Sequence, residues 1–439
     1  MKKFFFLISF LSAISFVSFS QEFYNGCLYE VSPDNEATIT MFFYNPAIIP
    51  VSINGYPVTE IDSSAISTIP RNSKVVLEKD HPFFYIENDI LYSKKDNSLI
   101  YSFSKEATVF IPYGIERIRG SAFSSLELEN VIIPDSVTDI DEFAFRNCWN
   151  LKVLHISKYV KHIGQCAFPR GCKVTLFKNP YFEIQDGLLI EIENKRIVYS
   201  FSDNQNVIIP EDIRIIEGFA FADQYNLKTI EISSSVIIEP WAFYGNNSLE
   251  TVVFKDAYSQ IKEHAFEGCS ALKEITLPTK LKKIENNTFC LCNSLKYIDL
   301  PSSLEGIYPS AFSNCNNLIE IQIPSNVNYI GDDAIPANTR SVLDNNNNFI
   351  LKDGLLLDEQ LKTVIYCSNT VEKVIIPDSV EIIYFGVFSD CIKLQEIFIP
   401  NSVSIIFGNY PEKTLIKCNK DSAAHKWCIT EKHIFELVD

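Results

Sequence analysis

Twelve cysteines and six histidines give this 439-residue chain the side chains for metal binding, thiol chemistry or acid–base work, but their spacing does not group them. A zinc knuckle or thioredoxin-type site needs a Cys-x-x-Cys pair, and none occurs. There is no phosphate-binding loop, nucleophile elbow, His-Glu-x-x-His helix or EF-hand loop. His155 and His162 are expected on opposite arms of one structural unit, with no carboxylate placed to orient either. Asp332-Asp333 reads as a solvated turn ahead of a weak calcium site. Asn246 and Asn286 open Asn-x-Ser/Thr sequons. The expectation is no catalytic residue, no metal ligand and no cofactor.

Five of the cysteines share one register. Cys148, Cys269, Cys292, Cys315 and Cys391 each lie three residues after a Phe and three before a Leu. Such a column reads as small buried residues whose thiol, a weak donor, faces backbone in a turn. Pairing of Cys166 with Cys172, Cys290 with Cys292, or Cys418 with Cys428 stays open from sequence.

The element that carries this column repeats. Phe123, Phe145 and Phe168 are 22 and 23 apart; Phe221, Phe243, Phe266, Phe289 and Phe312 follow at 22, 23, 23 and 23. Ile335 takes the same place, and Phe388 comes 53 later, the gap that also separates Phe168 from Phe221. A period near 23 marks a stacked solenoid, in which each turn buries itself on its neighbour. Within one turn, Ile275 and Leu277 alternate with polar residues, which is strand periodicity. Pro278 has no N–H and ends that strand. Leu281, Ile284 and Phe289 anchor a return arm too short for a helix, read as extended or 3₁₀.

A longer unit interrupts the short one. Phe182-x-x-x-Asp186-Gly187-Leu188-Leu189 recurs as Phe349-x-x-x-Asp353-Gly354-Leu355-Leu356, with a weaker copy at Phe84-x-x-x-Asn88-Asp89-Ile90-Leu91. A Tyr follows each Phe by 17 residues (Tyr101, Tyr199, Tyr366) and a Pro by 28 (Pro112, Pro210, Pro377). Asp-Gly between apolar runs is tight-turn chemistry. These units are expected as β-hairpins near residues 80–103, 179–201 and 346–368, which accounts for both 53-residue gaps.

Strand residues that point away from the core should form columns across turns. One runs Phe110, Ile132, His155, Ile208, Glu231, Val253, Thr276, Asp299, Gln322, Ile375 and Phe398. The column two residues earlier includes Thr229, Thr251, Glu274, Tyr297, Glu320 and Glu396. From these, Phe110, Ile132, His155, Glu231, Glu274, Thr276, Tyr297, Asp299, Glu320, Gln322 and Phe398 are the candidate binding residues of a concave sheet.

The ends differ, as solenoid ends must. Lys2 and Lys3, the apolar run Phe4 to Phe19 and the small residues Ser18 and Ser20 read as an export leader cleaved after Ser20. Residues 21–65 read as an irregular N-terminal cap, 66–410 as repeats, and 411–439 as a C-terminal cap with a short helix from the N-cap Ser422 to about Thr430. Tyr56 to Ile66 resembles a worn return arm. A net charge of −17 argues against nucleic acid and anionic membranes as partners. No later stretch is apolar and long enough to span a membrane.

The pattern Leu-x-x-Ile-x-Leu-Pro-x-x-Leu/Val-x-x-Ile-x-x-x-Ala-Phe-x-x-Cys, as in Val131 to Cys148, resembles the BspA-type leucine-rich repeats of bacterial and protist surface proteins and their treponemal relatives. The Asp-Gly-Leu-Leu units and the tail Asp421-Ser-Ala-Ala-His-Lys-Trp427 resemble the same family, and the likeness covers about residues 50–439. The resemblance implies a β-rich, curved, right-handed leucine-rich repeat solenoid with short return arms and hairpin insertions. It also implies a secreted, cell-surface or periplasmic location and a non-catalytic role in adhesion. The partner would be a protein or glycan, host extracellular matrix being one such class. A periplasmic or envelope scaffold that binds a self protein is the alternative role.

Overall fold

The computed structural model describes residues 22–438 apart from 25, 45, 70–72, 359, 361 and 385. The leader at residues 1–20 lies outside the described residues. The chain divides into two compact units, one of residues up to Lys152 with Tyr159–Pro169, the other of Val153–Lys158 with Arg170 onward. Both are built from the same turn.

That turn follows from three local rules. In Thr229–Ile232, Ile230 and Ile232 are buried while Thr229 and Glu231 face outward, the period of two that a strand imposes. In many turns, though not after Ile232, where Ser233 follows, a proline comes next and its carbonyl closes a tight turn onto the next aliphatic anchor: Leu281 N donates to Pro278 O at 3.0 Å, and Leu304 N to Pro301 O at 2.9 Å. The return arm is a two-residue strand such as Ile237–Ile238, followed by hydrogen-bonded turns. The extended reading of that arm holds, and no 3₁₀ segment occurs among the described residues.

The residue two before each register Phe or Ile335 lies in the left-handed region, and only before Phe388 is it a glycine (Gly386, φ 86°): Ser121, Phe143, Cys166, Phe219, Trp241, His264, Asn287, Ser310 and Asp333 all have φ between 52° and 60°. Backbone bonds to the next turn offset the strain. His264 N donates to Asn286 O at 2.9 Å, and Phe289 N two residues past Asn287 donates to Ala311 O at 2.9 Å.

In the first unit, residues 22–61 are not irregular. They carry six short strands, five of which form a sheet. The alternation that drives it, Cys27 and Tyr29 inward against Ala37 and Ile39 inward, is real but spans only a few residues and repeats nowhere else. Tyr56–Ile61 pairs in parallel with Ala37–Phe42. Helix Ser63–Thr68 follows, capped by Asp62, whose carboxylate accepts from Ser64 N at 2.7 Å. Phe123 and Phe145 then stack with centroids 5.1 Å apart and planes within 5°.

In the second unit the ring ladder runs Phe221, Phe243, Phe266, Phe289 and Phe312, at centroid spacings of 5.0, 5.0, 5.7 and 5.5 Å. Phe388 stacks on Tyr410 at 5.1 Å. Helix Ala423–Glu431 has Ser422 as its N-cap, accepting from His425 N at 3.0 Å.

Each interrupting unit is a three-stranded meander rather than a two-stranded hairpin. Phe182–Gln185, Leu188–Glu191 and Arg196–Ser200 pair antiparallel, as do Phe349–Lys352, Leu355–Asp358 and Thr363–Cys367, and Phe84–Glu87, Ile90–Ser93 and Ser98–Ser102. The first turn has two central residues at positive φ, Asp186 at 51° and Gly187 at 81°, the mirror-image turn that matches strand twist. A Cβ at Gly187 would meet Ser202 Cα at 2.7 Å, so the site excludes side chains twice over. The third strand of each meander pairs in parallel with the next return arm, which splices the insertion into the solenoid wall.

Candidate binding face

The outward columns exist as ladders of paired strands. Phe110 pairs with Ile132 in the first unit. In the second, His155 pairs with Thr175, and Ile208, Glu231, Val253 and Thr276 form one continuous file. Gln322 pairs with Val342, and Ile375 with Phe398 and then Lys417. Phe110, Ile132, His155, Glu274, Thr276, Tyr297, Asp299 and Gln322 are exposed; Glu231, Glu320 and Phe398 are half-buried. Thr175, Val342 and Lys417 share these files and were not singled out by sequence, because their turns depart from the Leu-x-x-Ile spacing.

Charges on the face are mostly paired one turn apart. Lys273 meets Glu250 at 2.5 Å, Arg340 meets Glu320 at 3.1 Å, Lys417 meets Glu396 at 3.2 Å, and Lys255 reaches Glu231. His155 Nδ1 lies 2.6 Å from Thr175 Oγ1, a contact that orients the ring without a carboxylate.

One turn breaks the pattern. The ladder through Thr251–Phe254 ends at Glu274–Thr276, and the next begins at Glu320–Ile323. Between them lies the segment 296–300, which pairs with neither. It leaves a depression of about 630 Å³ lined by Lys273, Glu274, Thr276, Lys296, Tyr297 and Asp299.

The cysteine column does the work expected of it. Each Sγ donates to a carbonyl one turn back: Cys148 to Phe123 O at 2.9 Å, Cys269 to Phe243 O at 3.2 Å, Cys292 to Phe266 O at 3.3 Å, Cys315 to Phe289 O at 3.0 Å, and Cys391 to Cys367 O at 3.4 Å. Burial pushes the Cys148 thiol up to about 11 and Cys290 up to about 12, so neither supplies a thiolate nucleophile near neutral pH. Cys290, Cys292, Cys418 and Cys428 are free thiols. Asn246 occupies the same column and is fully buried in the fold. Asp333 accepts from Ser313 Oγ at 2.7 Å, and burial raises its pKa with that of Asp332. No group of three or more His, Cys, Asp or Glu able to hold a metal ion occurs among the described residues. No helix among them is long and apolar enough to cross a membrane.

Repeating strand, proline turn, two-residue return arm and buried Phe column together define a leucine-rich repeat β-solenoid. The sequence matches the model of the BspA type leucine rich repeat region in six copies, over residues 97–187, 190–254, 237–347 and 359–418. The matches span more than half of the chain, which therefore belongs to the BspA-type leucine-rich repeat family. Solved structures that resemble it include the following three. A leucine-rich cell surface protein from Faecalibacterium prausnitzii is 18% identical, with 89% of this chain and 95% of that one covered and a TM-score of 0.34. The pneumococcal vaccine antigen PcpA is 17% identical over 96% and 99%, with a TM-score of 0.34. A leucine-rich repeat protein from Eubacterium ventriosum is 17% identical over 75% and 96%, with a TM-score of 0.43. No functionally curated protein matches the chain.

Proposed function

We propose that this protein is exported and acts without catalysis, as a surface adhesin that holds a macromolecular ligand on its outward strand face. The observation that carries the reading is the apolar exposure at strand centres: Phe110 is 69% exposed, Ile208 66% and Ile375 72%. Strand propensity alone explains β-branched residues there, but large rings and branched chains left in water at this level suit a covered surface. Family membership and the cell-surface relative from Faecalibacterium prausnitzii support the same reading.

Two measurements test it. Protease added to intact cells should digest the chain rapidly; protection until lysis refutes the surface role. The purified chain should bind immobilised extracellular matrix proteins, and Phe110→Ser with Ile375→Ser should remove that binding at unchanged melting temperature. Undiminished binding by the double variant refutes the strand face as the site.

A further inference from the structure

The outward strands form several short ladders, and among the described residues of the second unit 296–300 is the place where a turn lacks its outward strand altogether. The two turns that flank the depression are fastened elsewhere. Lys283–Ile284 pairs in parallel with Gly306–Ile307, Phe289 stacks on Phe312 at 5.5 Å, and Asn287 N, Phe289 N and Leu291 N all donate to the next turn. Only the strand face is unzipped. Ile298 is still buried, at 6% exposure, so the segment keeps its core contact while losing its ladder. Among the described residues, the backbone N–H and C=O groups of Tyr297, Ile298, Asp299 and Leu300 make no hydrogen bond; Lys296 O accepts from Ile319 N at 3.0 Å. Unpaired backbone at a strand is costly unless something else satisfies it.

The side chains at the opening are equally unengaged. Glu274, Lys296 and Asp299 have no ion-pair partner among the described residues, on a face where Lys273, Arg340, Lys255 and Lys417 all have one. Tyr297 lines the same depression, 62% exposed. The depression thus offers an aromatic face, two carboxylates, two ammonium groups of which that of Lys273 is already paired with Glu250, and a row of free backbone donors and acceptors.

We propose that this opening is a saccharide subsite that takes a neutral pyranose ring, with its apolar face on Tyr297 and its hydroxyls on Glu274, Asp299, Lys296 and the unpaired backbone. The proposal rests on the binding role argued above and names the ligand class for one part of that face. The mixture of signs selects against other occupants. An anionic ligand meets Glu274 and Asp299; a basic peptide meets Lys296 and Lys273. A peptide strand cannot enter the ladder, because an inserted strand needs a gap of about 9.6 Å, twice the usual 4.8 Å spacing, and the return arms hold the two turns in ladder contact. A polyhydroxylated ring needs no such gap, and each of its hydroxyls both donates and accepts.

The test is a printed array of neutral and N-acetylated oligosaccharides probed with the purified full chain. Binding should fall by about tenfold or more in Tyr297→Ala, the loss of roughly one stacking interaction with its buried area. It should survive in Tyr297→Phe, which keeps the ring, and in Tyr258→Ala, which removes a somewhat more exposed ring that does not line the opening. Asp299→Asn should weaken binding while leaving the melting temperature unchanged. Wild-type levels of binding by a folded Tyr297→Ala protein overturn the proposal. A blank array with retained capture of a matrix protein overturns it too, while leaving the strand-face reading intact. A blank array with no protein capture overturns both.

Discussion

Asn246 is the sharpest probe of what the cysteine column does. It stands where other turns have Cys, and its amide makes three bonds: Nδ2 donates to Phe221 O at 2.7 Å and to Phe243 O at 2.9 Å, and Oδ1 accepts from Gln224 N at 3.0 Å. Asn246→Ala removes all three in a fully buried site. At about 1 kcal/mol net per bond, the expected loss is about 3 kcal/mol. Asn246→Cys should restore one weak bond, to Phe221 O, by analogy with Cys269 and Phe243 O at 3.2 Å one turn on. Its expected loss is about 1–2 kcal/mol. Asn246→Asp should be worst, because it buries a carboxylate against two carbonyl oxygens. Urea unfolding followed by far-ultraviolet circular dichroism reads the order directly. With a slope of about 3 kcal/mol/M, the Ala variant should lose about 1 M of midpoint and the Cys variant about half of that. An Ala variant as stable as the parent, or a Cys variant less stable than Ala, would refute the reading of the column as a file of inter-turn donors.

Two further perturbations test the core and its electrostatics. Phe266→Ala empties a site between rings at 5.0 and 5.7 Å and should cost about 3–5 kcal/mol in the same unfolding assay; a loss under about 1 kcal/mol would mean that the ladder is not the core. Asp333→Asn should stabilise the protein at neutral pH. Burial raises the folded-state pKa of Asp333, aided by the nearby charges of Asp390 and Asp332, so the fold favours the protonated acid. Its contribution is therefore complete below the ordinary carboxylate pKa of about 3.9 and is lost as pH rises through the raised folded value. Thermal melts of parent and variant should coincide near pH 3 and separate above the carboxylate range; a gap that is constant with pH would contradict the assignment.

Repetition made the scaffold legible. The Phe and Cys columns recur because a stacked ring and a small inter-turn donor are wanted at every turn, so each copy reports the same requirement. The meanders were half legible: Asp186-Gly187 announced the mirror-image turn, but the first strand, Phe182–Gln185, has only one buried residue and gave no alternation to read. The left-handed position was illegible for a different reason. Phe219 and Trp241 are poor candidates for positive φ by themselves, and only inter-turn stacking, at 5.6 Å between their rings, together with inter-turn backbone bonds, makes the conformation tolerable.

The opening at Tyr297 was invisible for the converse reason. Leu295 to Pro301 reads like Leu272 to Pro278 residue for residue in its apolar pattern, and Ile298 is as buried as Ile275. What differs is whether one backbone reaches the next, a property of two turns rather than of either sequence. Yet both Tyr297 and Asp299 were selected from sequence as outward residues, because a strand period of two survives even where the ladder does not. A solenoid therefore separates its requirements by position. Inward residues answer to the stack and are forced to repeat; outward residues answer to nothing inside the protein and are free to vary. Ile208, Glu231, Thr276 and Gln322 hold one register position and share no chemistry. Any ligand of this protein must read that variation, and the reading is least obstructed where the backbone itself is left unpaired.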